Sequence, residues 1–431
     1  MELSKKIAFN TLIQVIGRIG VILISLFTTA MLTRRLGQGG YGAFGVINTA
    51  VVIFFSFADW GTNLIAVREA AKKPEETGKI FANSLFLRTL MAFLGIIFFI
   101  FFIWFNPSLA GFRDQALSAA LIILFLSVKT SAQIVFHARL KLYWTALIEL
   151  LASILFLIFL LFWQEIVLGQ AIFALIVTSA LSAGGAIIVV LKTIKVDFRL
   201  NKELLLYLLK ESLPMGALLT VYSVYSRADT FILQFLKGET VTGLYLLAYK
   251  VHDNLVLGAA YLMGAFFPVI VNLANSPAKH PDLKNLIQRA LDLLIVMALI
   301  VVAGVLIFAP LIIRILGGEE FGESLTILRI LILTTGFAYL NHLSGYSLAA
   351  LGKQRIHLRF SLIALFLNII LNFLFIPRFS YSGAAGVSVL TEGLIFVLTF
   401  SYLRRATDFD LKFFSFPKTI RQLIGRKERL F

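Results

Sequence analysis

The sequence predicts an all-α integral membrane protein, with about 12 transmembrane helices in two pseudo-repeated six-helix lobes around a central cavity. Three observations carry this reading. The 431 residues are 59% hydrophobic and only 14% charged, whereas soluble domains are about 45–50% apolar and about 25% charged. Apolar runs recur along the whole length, each near the ~20 residues a helix needs to cross a ~30 Å hydrocarbon core. These runs are too long, and alternate too little, for barrel strands of about 10 residues, which leaves helices to satisfy the backbone polar groups in lipid.

Charges, Gly, Pro and Asn interrupt the runs and place the spans at roughly 8–33, 42–66, 82–105, 116–137, 145–163, 168–191, 213–236, 243–273, 290–316, 324–350, 360–377 and 384–403. The first run follows Lys5-Lys6 and ends in Thr33-Arg34-Arg35. It lacks a small-residue cleavage site and exceeds a signal-peptide core in length, so it is expected to be retained. The second opens in the Gly-rich turn Leu36-Gly37-Gln38-Gly39-Gly40-Tyr41-Gly42-Ala43-Phe44. After the sixth, with its small residues Ser179, Ala183 and Gly184, comes the charged stretch 192–212, carrying Lys192, Lys195, Arg199, Lys202 and Lys210. The seventh run leads into Lys237-Gly238-Glu239-Thr240-Val241-Thr242-Gly243-Leu244-Tyr245, a second turn like the first. Gly258, Gly264 and Pro268 in the eighth run and Pro310 in the ninth permit close contact or bending. The expected organisation is an N-terminal six-helix lobe (1–191), a cytoplasmic linker (192–212), a C-terminal six-helix lobe (213–403) and a basic tail (404–431). Six spans per half make the repeat parallel, about an axis along the membrane normal.

With both termini inside, the cytoplasmic stretches hold 27 Lys and Arg residues, and the opposite side only Arg34, Arg35, Arg113, Lys237 and Arg378. That bias fixes the expected orientation in the cell membrane. The net charge of +16 lies in short loops between apolar runs and not on one domain face, so it signals topology and no nucleic-acid partner is expected. The absence of cysteine excludes disulfides and thiolate metal sites. There is no Gly-x-x-x-x-Gly-Lys-Ser/Thr phosphate loop and no loop long enough for an extramembrane catalytic body. The chain is therefore expected not to be an enzyme and to carry no cofactor beyond a coupling Na⁺ or H⁺.

Several pieces, in this order and spacing, resemble the polysaccharide-export flippases of the multidrug/oligosaccharidyl-lipid/polysaccharide exporter superfamily, which include the O-antigen and lipid-linked-oligosaccharide translocases. They are Arg35-Leu36-Gly37 with Tyr41-Gly42, Arg227-Ala228-Asp229, Gly317-Gly318-Glu319-Glu320-Phe321, Asn368 with Asn372, Gly383-Ala384-Ala385-Gly386 and Glu392. The resemblance covers essentially the whole chain. It implies flipping of a polyprenyl-phosphate-linked or pyrophosphate-linked glycan from the cytoplasmic to the outer leaflet by alternating access, by a monomer.

A charge at mid-bilayer costs about 2.5–3.5 kcal/mol on insertion scales and normally faces a bundle interior or a wet cavity. On the first helix Asn10, Gln14, Arg18, Ser25 and Thr29 fall within an arc of about 100°, and on the seventh Thr220, Ser223, Arg227, Thr230 and Gln234 within about 80°. Arginine's planar fork suits bidentate phosphate contacts. Arg18 and Arg227 are therefore the candidate phosphate ligands, with Asn10, Gln14, Ser223, Lys129 and Lys250 completing the substrate-binding set. Structural pairing is the competing reading. Asp229 points nearly opposite to Arg227 and can only pair between helices, Lys250 and Asp253 are spaced to compensate each other, and Lys129 either lines an inward vestibule with Gln133 or snorkels. Asp59, Asp229, Asp253, Glu392 and His342 are the candidates for a coupling ion, with a satisfied structural role as the simpler alternative. Arg88, Arg314 and Arg329 sit near span ends and are expected to anchor at the headgroups.

The tail carries Arg404, Arg405, Lys412, Lys418, Arg421, Arg426, Lys427 and Arg429, interleaved with Phe413, Phe414, Phe416 and Ile424. It is expected to lie on the anionic inner leaflet, and a glycosyltransferase or polymerase is a further candidate partner. Two other functions compete. A multidrug extrusion antiporter of the same superfamily needs acidic residues for organic cations, which spans one and three lack. A glycan polymerase or ligase needs a long outer loop, and none is available.

Overall fold

The computed structural model describes residues 3–274, 280–413 and 415–416, without the side chains of 3–12 and 280. Among the described residues the regular elements are all helices: α1 (Leu3–Asp59), α2 (Thr62–Lys72), α3 (Thr77–Phe105), α4 (Arg113–Ala138), α5 (Tyr143–Phe162), α6 (Leu168–Thr193), α7 (Lys202–Tyr225), α8 (Ala228–Ala274), α9 (His280–Gly317), α10 (Ser324–Ala350), α11 (Gln354–Thr407) and two short 3₁₀ turns. Nine stretches among these residues are long and apolar enough to cross a membrane. Three of them hold two spans each, because α1, α8 and α11 are broken at Gly37, Gly238 and Ser380, whose φ values of 66°, 79° and 51° are left-handed. Twelve spans result, as the apolar runs predict.

The two Gly-rich turns identified in the sequence meet back to back. A Cβ on Gly42 would overlap the Glu239 carbonyl, and one on Gly243 the Gln38 carbonyl, so both positions require glycine. Arg35, just before the first turn, donates from Nη1 to the carbonyls of Leu160 and Trp163 at 2.9 and 2.7 Å. It thereby satisfies the open carbonyl end of α5 and places a cation at the negative end of its dipole.

Three boundaries differ from expectation, each for a local reason. The second span ends at Asp59 and not near 66, because Trp60 (φ 42°) and Gly61 (φ 69°) turn the chain into the separate helix α2. The turn is locked by Gly216, where a Cβ would stand 2.6 Å from the Trp60 carbonyl and 2.7 Å from its ring. The linker expected over 192–212 is helical from Lys202, where the Asn201 side chain accepts the Leu204 N–H at 2.8 Å as an N-cap. The seventh span is interrupted at Ser226-Arg227, between α7 and α8, so its polar stripe does not run along one continuous helix.

The chain forms two compact units, Met1–Gly243 with Leu316–Glu320, and Leu244–Ile315 with Phe321–Phe431. In the first, Phe81, Ala132, Val135, Phe136, Ala186 and Val190 pack between α3, α4 and α6. In the second, α8, α9 and α10 bury Met263, Ile287, Leu291, Leu294 and Leu343. This second core also corrects the expectation for the start of the tail. Asp408 (φ 55°) reverses the chain, Phe409 and Leu411 are buried, and the Phe413 ring lies 5.0 Å from that of Phe400. Ser415 donates to the buried Asp292 carboxylate at 2.7 Å, and the Lys412 N–H to Gln288 at 2.8 Å. Residues 409–413 therefore cover the bundle, Phe413 included, because their apolar side chains find a protein core within reach. Phe414, Ile424 and the rest of 417–431 lie outside the described residues.

Candidate functional site

The sequence-predicted residues Gln14, Arg18, Asp59, Lys129, Ser223, Arg227 and Asp229 all fall in the first unit, while Lys250, Asp253, His342 and Glu392 fall in the second. Asn10 lies on α1, but its side chain is outside the described set.

In the first unit, α1 and α5 approach closely because Gly17 faces Ala146: a Cβ on Gly17 would stand 2.9 Å from the Ala146 Cβ. That contact brings the next residue, Arg18, to 3.7 Å from Glu149, both about one-third exposed. Glu149 is a residue that the sequence reading missed. Lys129 faces the same carboxylate, and the two line a recess with Gln133, Phe136, Thr145, Ile148 and Ala186. The recess holds about 10 Å³, room for about one water. Gln133 accepts from the Asn63 amide at 3.2 Å. Arg18 Nε and Thr145 Oγ1 are buried without a hydrogen-bond partner among the described residues. Among the described residues, two cations and two unused donors thus gather around a single carboxylate, an arrangement short of negative charge.

A second ion pair crosses the same unit. Arg88 is fully buried, not at the headgroups as its sequence position suggests, with Nη1 2.5 Å from Asp59 and Nη2 2.5 Å from the Thr130 hydroxyl. The anchoring expectation fails for Arg88 because α3 begins at Thr77 and carries the residue three turns into the helix, against α1 and α4. Arg314 and Arg329 are exposed. Asp59 is thereby occupied by a cation. Asp229 is buried at the start of α8, where its carboxylate accepts the Thr230 N–H at 2.7 Å, a favourable position for negative charge at a helix N-terminus. Ser223 and Arg227 are half-buried at the α7–α8 break.

In the second unit the Glu392 carboxylate accepts from Asn341 at 2.6 Å, and His342 Nδ1 lies 2.7 Å from the Ala338 carbonyl. The Asn368 and Asn372 side chains bond each other at 2.8 Å, and Asn368 also reaches Thr391. Lys250 and Asp253 are half-buried on α8. Among the described residues no group of three His, Cys, Asp or Glu could hold a metal ion.

The family model described as polysaccharide biosynthesis protein matches residues 3–274, well over half of the chain. The chain belongs to this family. A second family model, MatE, matches residues 214–374 of the chain. The chain is 26% identical over 179 residues to the probable low-salt glycan biosynthesis flippase Agl15 of Haloferax volcanii, a match covering 42% of the chain and 38% of the relative's length. Two solved structures share its fold. A lipid II flippase MurJ in an inward closed conformation has a TM-score of 0.73 at 17% identity, covering 96% of both chains. An inward-facing multidrug resistance MATE transporter of the MOP superfamily has a TM-score of 0.73 at 12% identity, covering 91% of this chain and 98% of the other.

The arginines were visible in the sequence but their partners were not. Glu149 and Thr145 sit at the start of α5, where flanking charges read as a span boundary, and only the Gly17–Ala146 contact puts them beside Arg18.

Proposed function

We propose that the protein flips a polyprenyl-(pyro)phosphate-linked oligosaccharide from the cytoplasmic to the outer leaflet by alternating access, for cell-surface polysaccharide or glycan biosynthesis. The observation that carries the reading is the charge balance inside the first unit, where, among the described residues, Arg18 and Lys129 share the one carboxylate of Glu149. Such a site lacks one negative charge, which a phosphate supplies at the one-third-exposed Arg18 side chain; the recess, with room for about one water, widens during the transport cycle before Lys129, Arg18 Nε and Thr145 Oγ1 meet the phosphate. Family membership supports a glycan-linked substrate. On this reading Arg18 and Lys129 hold the phosphate, Gln14 and Gln133 supply neutral hydrogen bonds, and Arg227 offers a second guanidinium farther along the path.

The MatE match favours a second reading, a cation-coupled multidrug antiporter. Organic-cation capture needs a carboxylate free to meet the ligand, and here Asp59 is engaged by Arg88 and Glu149 by Arg18. The two readings separate in a binding experiment on the purified protein, with farnesyl diphosphate and tetraphenylphosphonium as probes. The flippase reading expects saturable binding of the diphosphate that Arg18→Ala weakens by at least about tenfold, the loss of ~1.4 kcal/mol. Saturable binding of the phosphonium with none of the diphosphate would replace it by the antiporter.

A further inference from the structure

At the end of the first unit where α3 and α5 begin and α4 and α6 finish, Glu75, Gly78, Arg139, Lys141, Thr193, Ile194 and Lys195 enclose a polar bowl of about 490 Å³. That size falls within the roughly 300–1,000 Å³ of small-ligand sites. The bowl is separate from the Arg18–Lys129 recess and shares no residue with it.

Its walls are held by specific contacts. After α4, Leu140 adopts φ 51° while the Lys141 N–H returns to the Phe136 carbonyl at 2.8 Å, so the cations on either side of the reversal both face the bowl. The Arg139 guanidinium is fixed by a 3.0 Å bond to the Pro74 carbonyl. On the far side the 195–201 segment lies flat along α3. Gly78 permits this, since a Cβ there would overlap the Lys195 carbonyl, and the Asn83 side chain clamps it through the Arg199 carbonyl at 3.2 Å and the Asn201 N–H at 2.8 Å. Three cations thus line the bowl against one carboxylate, Glu75, and Lys141 and Lys195 enter no ion pair among the described residues. Tyr143 and Trp144, half-buried just after Lys141 at the start of α5, have rings 5.4 Å apart; aromatics of this kind concentrate at membrane–water boundaries.

We propose that this bowl binds the phosphate of an anionic membrane lipid, with Lys141, Lys195 and Arg139 as its ligands. A phosphodiester headgroup matches the uncompensated charge, and the neighbouring Tyr143–Trp144 pair is of the kind found at headgroup depth. This site does not depend on the transport reading, because none of its residues is assigned to the substrate.

The test is native mass spectrometry of the full chain titrated with phosphatidylglycerol, alone and with millimolar inorganic phosphate. Wild type is expected to retain one lipid that survives the phosphate, and Lys141→Gln/Lys195→Gln to bind it at least about tenfold more weakly. Gly78→Val, which displaces the 195–196 wall and keeps every charge, is expected to weaken it as well. Undiminished binding in the lysine double variant overturns the site, and undiminished binding in a folded Gly78→Val reduces it to a diffuse charged surface. Displacement of the lipid by inorganic phosphate assigns the bowl to a soluble anion and removes the lipid. Should Gly78→Val fail to fold, the double variant decides, since Lys195 is exposed and Lys141 only half-buried.

Discussion

Asp59→Asn is the most informative single change to the first unit. Arg88 has no exposed surface, and its charge is met by Asp59 and by the Thr130 hydroxyl, each at 2.5 Å. The amide keeps the shape of the carboxylate and leaves the guanidinium buried without a counter-charge, which costs about 3–5 kcal/mol. Arg88→Met removes the cation and leaves a carboxylate that still reaches solvent through its 18% exposed side chain, so a smaller loss of about 1–3 kcal/mol is expected. Once Arg88 is Met, Asp59→Asn has no buried charge left to orphan. The double variant should therefore be about as stable as Arg88→Met alone, giving a coupling of about 3–5 kcal/mol, the full loss seen in Asp59→Asn. SDS-driven unfolding in mixed micelles, read by tryptophan fluorescence, measures all three. Losses that add to within about 0.5 kcal/mol would show that the two side chains do not act as a pair and would refute the assignment.

Other consequences follow from particular contacts. Glu149→Gln should tighten farnesyl diphosphate binding several-fold, because it removes the internal anion that competes for Arg18 and Lys129; isothermal titration measures it, and weaker binding would make Glu149 a substrate-positioning group instead. Gly42→Ala and Gly243→Ala should each lower the detergent melting temperature markedly, since the added methyl meets a carbonyl and not a movable side chain, whereas Gly184→Ala, with open space around it, should be near neutral. On α2, burial alone would push the Glu69 carboxyl up, but hydrogen bonds from Lys72, Arg68 and Tyr207 outweigh it and hold the group below its ordinary 4.5. A lowered carboxylate stabilises the folded state above its unfolded value and loses that contribution as pH falls through the folded value. The α2–α7 contact, in which Arg68 also reaches Glu211 at 3.0 Å, should thus loosen only below about pH 4.5, and Glu69→Gln should remove that acid limb from a pH series of hydrogen exchange in α2.

The fold was legible because the bilayer imposes a length and a composition on every span, and twelve runs of that kind stand out whatever their partners. The family resemblance was legible for a related reason. Arg35, Gly37 and Gly42 serve backbone geometry, capping a helix end, turning the chain or allowing two turns to touch, and such needs leave residue types at fixed spacings. The boundaries at Asp59 and Arg227 were not legible, because apolar residues continue across them and the chain breaks for tertiary reasons, at Gly216 in the first case. Arg88 was misread for the same cause. Distance from a span end measures depth along one helix, whereas burial depends on what α1 and α4 place beside it. Pairing in the candidate site ran out at the same point, since nothing in the order of residues joins Arg18 to Glu149.

The most direct test of the transport account is the initial rate of headgroup translocation of a fluorescent polyprenyl-diphosphate glycan in proteoliposomes, for wild type, Arg18→Ala and Lys129→Ala, each checked for monodispersity. The account predicts that wild type moves the lipid across the bilayer and that each variant, still folded, is slowed by at least about tenfold, ~1.4 kcal/mol at the barrier. Translocation at the wild-type rate in both variants, or wild-type vesicles that leave the lipid in place and expel an organic cation against a proton or Na⁺ gradient, would contradict it.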